Sequence, residues 1–267
     1  MSQPPLHPTL PRRDLATLAL QRVVARALTP VTWYLAWGWM RFARGYSIPN
    51  LRAFRSELHQ KLAASRDAGR GSRHGPLLVC ANHLTLIDSC VLLWALGSAW
   101  AFLRDERLFA WNLPERRNVG DGLALRLGCY MGKCLPIVRG GPPDETARVM
   151  DKVRFLLASG HRVMIFPEGT RSRSGRLDRE EFTYGVGKLA QEVPGTRVLC
   201  IYLRGLGQTT YSDLPKRGET FELMCDVITP TSPSSGLRGA RDLSRTIVES
   251  LAELEEAWFA AHSTPGQ

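Results

Sequence analysis

The sequence predicts an α/β fold: a mixed, largely parallel central sheet flanked by helices, preceded by an N-terminal amphipathic helical segment that contacts a membrane. Short runs of branched apolar residues recur along the chain, at 76–81 ("PLLVCA"), 133–138 ("KCLPIV"), 162–166 ("RVMIF"), 197–203 ("RVLCIYL") and 220–228 ("TFELMCDVI"), and each reads as a strand. Between them, "DETARVMDKVRFLLASG" at 144–160 carries apolar residues at helical spacing, with Gly160 as its stop. Strands alternating with helices specify a sheet covered on both faces. A chain of 267 residues with 44% hydrophobic content has the length and apolar surface for one large domain with its own core.

Taken in order, residues 1–14 and the tail 263–267 show no packing pattern and read as disordered. Residues 15–65 form the N-terminal helical interfacial segment, and 66–262 the α/β domain. The first residues lack the apolar core of a signal peptide. The stretch "RALTPVTWYLAWGWMRFARGY" at 26–46 is interrupted by Pro30, Gly38 and Arg41, short of the roughly 20 clean apolar residues that span a bilayer. Trp33, Trp37 and Trp39, flanked by Arg22, Arg26, Arg41 and Arg44, suit the headgroup layer, so the segment is expected to lie on a membrane surface; an ordinary buried helix is the alternative. "RDAGRGSRHG" at 66–75 is a flexible connection, and "TPTSPSSGLRG" at 229–239 a surface loop. Beyond it, Leu243, Ile247, Leu251, Leu254 and Trp258 line one face of a terminal helix docked on the core.

A net charge of +10 calls for an anionic partner: nucleic acid, a membrane surface or a phosphorylated substrate. The basic residues are not interleaved with aromatics along one helix or strand pair, so nucleic acid is not expected. The 6 cysteines have no C-x-x-C pairing and read as buried, reduced thiols; no ligand spacing suggests a metal, and no cofactor is expected.

The chemistry-bearing residues sit in "LLVCANHLTLIDS" at 77–89. Ionisable His83 and Asp88 in an apolar run are costly unless paired. On a regular helix they would lie about 140° apart, so they meet only if His83 occupies the turn after the strand and Asp88 the first helical turn. Thr85 and Asp88 also have the spacing of a capping box, which would make the acid a purely structural cap. A second block, "VMIFPEGTRSRSGR" at 163–176, is a strand breaking at Pro167 into Glu168, Gly169, Thr170 and Arg171; a glycine turn beside an arginine suits an oxyanion. Arg139 ends the run "GKCLPIVRG", and in open α/β sheets ligands collect at strand ends.

"NHLTLID" followed about eighty residues later by "FPEGTRS" resembles the glycerolipid acyltransferase family typified by bacterial lysophosphatidic acid acyltransferases, over residues 77–230. "GKCLPIVRG" stands at the family's second block, with Arg139 matching its arginine, and "RVLCIYLRG" at its fourth, without the usual proline. The resemblance implies that His83 is the general base on an acceptor hydroxyl and Asp88 its orienting acid. Asn82, Arg139, Glu168, Gly169, Thr170 and Arg171 would bind substrate. It implies acyl-CoA or acyl-carrier protein as donor, a lysophospholipid as acceptor, foremost 1-acyl-glycerol-3-phosphate giving phosphatidate, and a peripheral position on the cytoplasmic face of a bacterial inner membrane. Leu84 and Thr85 replace the family's common polar pair, and Thr183 stands where lysine often follows phenylalanine. Other acceptors (another lysophospholipid, a lyso-ornithine lipid, a specialised lipid or pigment) therefore stay open, as do a non-catalytic basic lipid- or nucleic-acid-binding protein and a thioesterase.

Overall fold

A computed structural model of the chain describes residues 9–67, 74–120, 122–138 and 140–263. Five strands form one sheet in the order β2-β3-β1-β4-β5: β1 Leu77–Ala81, β2 Trp111–Asn112, β3 Arg162–Ile165, β4 Arg197–Gly205 and β5 Phe221–Ile228. Strands β1 to β4 are mutually parallel and β5 runs antiparallel along β4. All five residues of β1 are buried, as befits the middle of a sheet with helices on both faces.

Alternate residues of the strands feed two cores. Leu77, Val79, Leu199 and Ile201 pack with α2 (Leu51–Ser65) through Phe54, Leu58 and Leu62, and with α3 (Asp88–Leu96) through Val91, Leu92 and Trp94. Leu78, Cys80, Val163 and Val198 face the opposite layer. That layer holds α7 (Pro143–Ala158), α8 (Gly185–Glu192) and α9 (Gly236–His262). Each fully buried Leu, Val or Ile contributes roughly 1.5–3 kcal/mol, so the two layers clamp the sheet between them. On α9, Leu243, Ile247, Leu251 and Trp258 are buried and Leu254 packs at the margin, as expected of a docked helix, though α9 starts at Gly236, inside the expected loop. Gly160 adopts φ +78°, and a Cβ there would sit 2.2 Å from the His74 carbonyl, which fixes the end of α7.

Three expectations need correction. Residues 133–138 form no strand: Cys134 and Ile137 make isolated bridges to Asn112 and Glu115. Lys133 has φ +53° and Pro136 offers no amide, so the ladder cannot run on. The edge position belongs instead to the short β2. Second, order begins before residue 15. Helix α1 spans Arg12–Gly38, Leu10 is packed, and buried Asp14 pairs with Arg148 at 2.7 Å and Lys152 at 3.0 Å. The Arg148 hydrogen bond leads the effects that hold the Asp14 carboxyl down at about 2. Residues 1–8 and 264–267 lie outside the described residues, as does the middle of the expected connection at 66–75, residues 68–73. Third, Cys80, Cys200 and Cys225 are buried, but Cys90 is exposed and Cys129 and Cys134 are half-buried.

The N-terminal segment is helical through Pro30 and continues as a wider turn at Trp39–Ala43. Among the described residues, no helix is long and apolar enough to cross a membrane. Its inward and outward faces are only partly those expected, for Trp39 is exposed. Trp33 and Trp37 stack on each other and pack against the core. Arg22 bonds Glu106, Arg26 the Leu103 carbonyl and Arg44 the Pro215 carbonyl. The exposed face instead carries Leu20, Val23, Val31 and Leu35, which fall within one stripe of the helix. Nearby, α4 (Ala99–Arg104) exposes Trp100, and α6 (Leu123–Met131) exposes Leu123 and Leu127; both helices pack on α1.

Candidate active site

The loops leaving β1, β3 and β4 emerge at one end of the parallel strands, on both sides of the central β1. This is where an open α/β sheet forms its ligand crevice. Residue 82 opens the first loop. The Asn82 amide donates to the Leu203 carbonyl at 2.9 Å, and its oxygen accepts from the Leu203 amide at 2.7 Å. The side chain thus continues the β1–β4 ladder by one rung. It is buried and bonded through both its nitrogen and its oxygen, so it positions the loop.

His83 and Asp88 meet as the spacing required, with Nδ1 3.0 Å from Oδ2. The carboxylate is held from several sides: the Leu84 amide donates to Oδ2 at 2.7 Å, the Thr85 amide at 2.8 Å, and the Thr85 hydroxyl to Oδ1 at 2.5 Å. The capping-box reading is partly realised, because the acid does reach back to the Thr85 amide. The Thr85 hydroxyl, however, turns to the carboxylate instead of capping a helix amide, and α3 starts at Asp88 itself. Charge-assisted bonds from two amides and a hydroxyl keep Asp88 fixed and aimed at the imidazole. With Nδ1 committed to Asp88, the neutral ring carries its lone pair on Nε2, which has no protein partner among the described residues.

The second block locks onto the first. Phe166 stacks on the His83 ring at 4.2 Å between centroids, the Ser172 amide donates to the His83 carbonyl, and the His83 amide donates to Glu168 Oε1 at 2.9 Å. Gly169 adopts φ +70°, and a Cβ there would lie 2.6 Å from Thr183 Cγ2; Thr183 itself bonds the Pro167 carbonyl. The turn needs glycine on both counts. The Thr170 and Arg171 amides that follow donate to no protein acceptor among the described residues. Burial pushes the Glu168 carboxyl up to about 8; the His83 amide opposes this, while the charges of Glu255, Asp88 and Asp178 add to it.

A third loop, 206–214, is absent from the sequence-derived site. Thr85 and Ser212 form a parallel bridge, the Ser212 amide donates to the Leu84 carbonyl, and the Leu86 amide to the Asp213 carbonyl. Arg171 crosses to this loop, bonding Asp213 Oδ1 at 2.6 Å and the Ser212 carbonyl at 3.0 Å, with its guanidinium over the Tyr211 ring. Asp213 is 76% exposed, so this ion pair is a weak restraint that an entering anion can replace. Arg176 turns away, onto Glu255 and the Phe259 ring. Arg139 lies outside the described residues.

The structure therefore draws the His83–Asp88 turn, the Glu168–Arg171 turn and the 206–214 loop together at one end of the sheet, with Asn82 in the ladder beneath them. No curated protein matches this chain. A family model described as acyltransferase matches residues 56–204, more than half of the 267 and reaching from α2 through both loop blocks into β4. On that match the protein belongs to the acyltransferase family of the 1-acyl-glycerol-3-phosphate acyltransferases and is an acyltransferase.

Proposed function

We propose that the protein moves a fatty acyl group from an acyl thioester, carried by coenzyme A or an acyl-carrier protein, to the hydroxyl of a lysophospholipid at a membrane surface. The observation that carries this reading is the His83–Asp88 pair at 3.0 Å with Nε2 unengaged beside the Arg171 loop. His83 Nε2 accepts the proton of the acceptor hydroxyl as its oxygen attacks the thioester carbon. Asp88 holds the tautomer and stabilises the imidazolium that forms. When the tetrahedral intermediate collapses, the C–S bond breaks and the imidazolium returns its proton to the departing thiolate.

Arg171 and the unengaged Thr170 and Arg171 amides suit the acceptor's phosphate: a guanidinium grips an oxyanion with paired bonds, and amides after a glycine turn add donors. Glu168 shapes that pocket in this reading, and 1-acyl-glycerol-3-phosphate, yielding phosphatidate, is the leading acceptor. The exposed apolar stripe of α1, with Trp100 and Leu123 beside it, suits the acyl boundary of a leaflet, where the lipid acceptor resides, on the cytoplasmic side. The test is incubation with labelled acyl-CoA or acyl-carrier protein and a panel of lysolipids, read by product mass. Acylated lysophosphatidate is the expected product. Free fatty acid released at a rate indifferent to acceptor would establish a thioesterase instead.

A further inference from the structure

The opposite end of the sheet holds a cavity of ≈ 680 Å³, a volume typical of small-molecule pockets. It is lined by Arg66, Arg107, Arg162 and Arg197, with Asp67 and Asp105 as its acids. From the start of β1 to His83 is about 20 Å at the strand rise, so this cavity is separate from the catalytic crevice. An adjoining cavity shares His74, Asp105 and Arg107 and adds Arg104.

Register explains the arginines. Leu77, the first residue of β1, pairs with Arg162 on one side and Arg197 on the other. Both therefore stand on the same face of the sheet, about 10 Å apart across two strand spacings, a separation that lets two long side chains converge on one oxyanion. Arg197 is 2% exposed. Its Nη1 bonds Ser65 Oγ at 2.7 Å and the Leu62 carbonyl at the end of α2, but its buried Nε has no partner. The Arg162 side chain makes no hydrogen bond or ion pair among the described residues, its backbone alone being held in the ladder with β1. Burial pushes its guanidinium down to about 10; Asp105 opposes that and the Arg197 charge adds to it. Helix capping thus accounts for one edge of Arg197 and for nothing of Arg162. Arg197 is buried and Arg162 half-buried, and two such cations that repel each other are costly to keep without a counter-charge.

We infer that this cavity binds a phosphate-bearing ligand, its phosphomonoester or pyrophosphate group clamped between Arg162 and Arg197. Among the described residues, four arginines against two aspartates leave two positive charges, the complement of a dianion, and the planar fork of arginine matches phosphate in paired bonds. Such a group can come from a soluble metabolite or from a lipid headgroup.

The experiment is calorimetric titration of the full chain with inorganic pyrophosphate at low ionic strength, in an Arg171→Ala background so that the catalytic crevice does not contribute. Saturable binding is expected, weakened at least about tenfold by Arg162→Gln and in the same direction by Arg107→Gln at the rim. Both variants are checked by thermal melts; should Arg162→Gln not fold, Arg107→Gln decides. No saturable binding, or binding that neither substitution weakens, overturns the assignment. Flotation with phosphatidate against phosphatidylcholine vesicles then names the source. A phosphatidate preference lost in Arg162→Gln identifies a lipid headgroup, whereas pyrophosphate binding without that preference identifies a soluble ligand; both uphold the site.

Discussion

Glu168→Gln isolates the most perturbed carboxyl of the crevice. Its folded pKa of about 8 lies above the ordinary 4.5, because burial disfavours the charged form. The native state therefore holds a proton that the unfolded chain releases between these values. Stability conferred by that proton is complete below pH 4.5 and declines as pH rises through about 8. At somewhat over 1 kcal/mol per unit, the cost is roughly 1 kcal/mol at pH 5.5 and about 4–5 kcal/mol at pH 9, a change of about 3 kcal/mol. Glutamine keeps an oxygen to accept from the His83 amide and cannot ionise, so the variant lacks this dependence. The assay is urea unfolding of both proteins at pH 5.5 and 9, with the difference in free energy compared between the two pH values so that all other titrating groups cancel. Glu168→Gln should gain about 3 kcal/mol on wild type between them. Parallel profiles, with a gain below about 1 kcal/mol, would refute the claim that Glu168 folds in protonated.

His83→Ala should lower acyl transfer by about 10²–10⁴ while vesicle flotation is unchanged; undiminished transfer removes the general-base role. Arg171→Ala should raise the acceptor KM by about 10- to 150-fold and leave the donor KM in place, as loss of a charge-assisted phosphate contact requires. Kinetics with each substrate varied in turn decide it, and two unmoved constants reject the phosphate contact. Leu35→Glu combined with Val31→Glu should weaken binding to anionic vesicles at least about tenfold without affecting turnover of a short-chain soluble substrate. Equal flotation of variant and wild type removes α1 from the membrane contact.

The strands legible in the sequence were those whose own residues carried the signal. In β1, β3 and β4 short apolar runs match positions covered on both faces, and β5, interrupted by Glu222 and Asp226, is paired with β4 along its length. Strand β2 has two residues and no period, and exists because Trp111 and Asn112 pair with Val163 and Met164, fifty residues away. The run at 133–138 has the composition of a strand and lacks the backbone for one, since φ +53° at Lys133 turns the chain out of the ladder. Helix α1 misled in another way. Composition showed that tryptophans and arginines were present, whereas which of them faced inward depended on Glu106, the Leu103 carbonyl and the Pro215 carbonyl, partners that no local pattern names.

At the site, spacing alone left Asp88 either as a helix cap or as the partner of His83, and the geometry shows why those readings do not exclude each other. One carboxylate accepts the Leu84 and Thr85 amides and also Nδ1 of the imidazole, so the bonds that shape the turn are the bonds that fix the acid beneath the ring. A substitution at Asp88 must then disturb fold and chemistry together. One at His83 removes only the ring that stacks on Phe166, because the backbone of residue 83 keeps its bonds to Glu168 and Ser172. The loop 206–214 supplies the rest, and its contribution, Asp213 and Tyr211 around Arg171, was invisible because each contact is long-range and none repeats. Arg171 is held there by an exposed carboxylate, a weak bond in water that yields to a phosphate able to offer two oxygens at once. In the function proposed above, the same arginine rests on the protein until the acceptor binds and then turns to its phosphate.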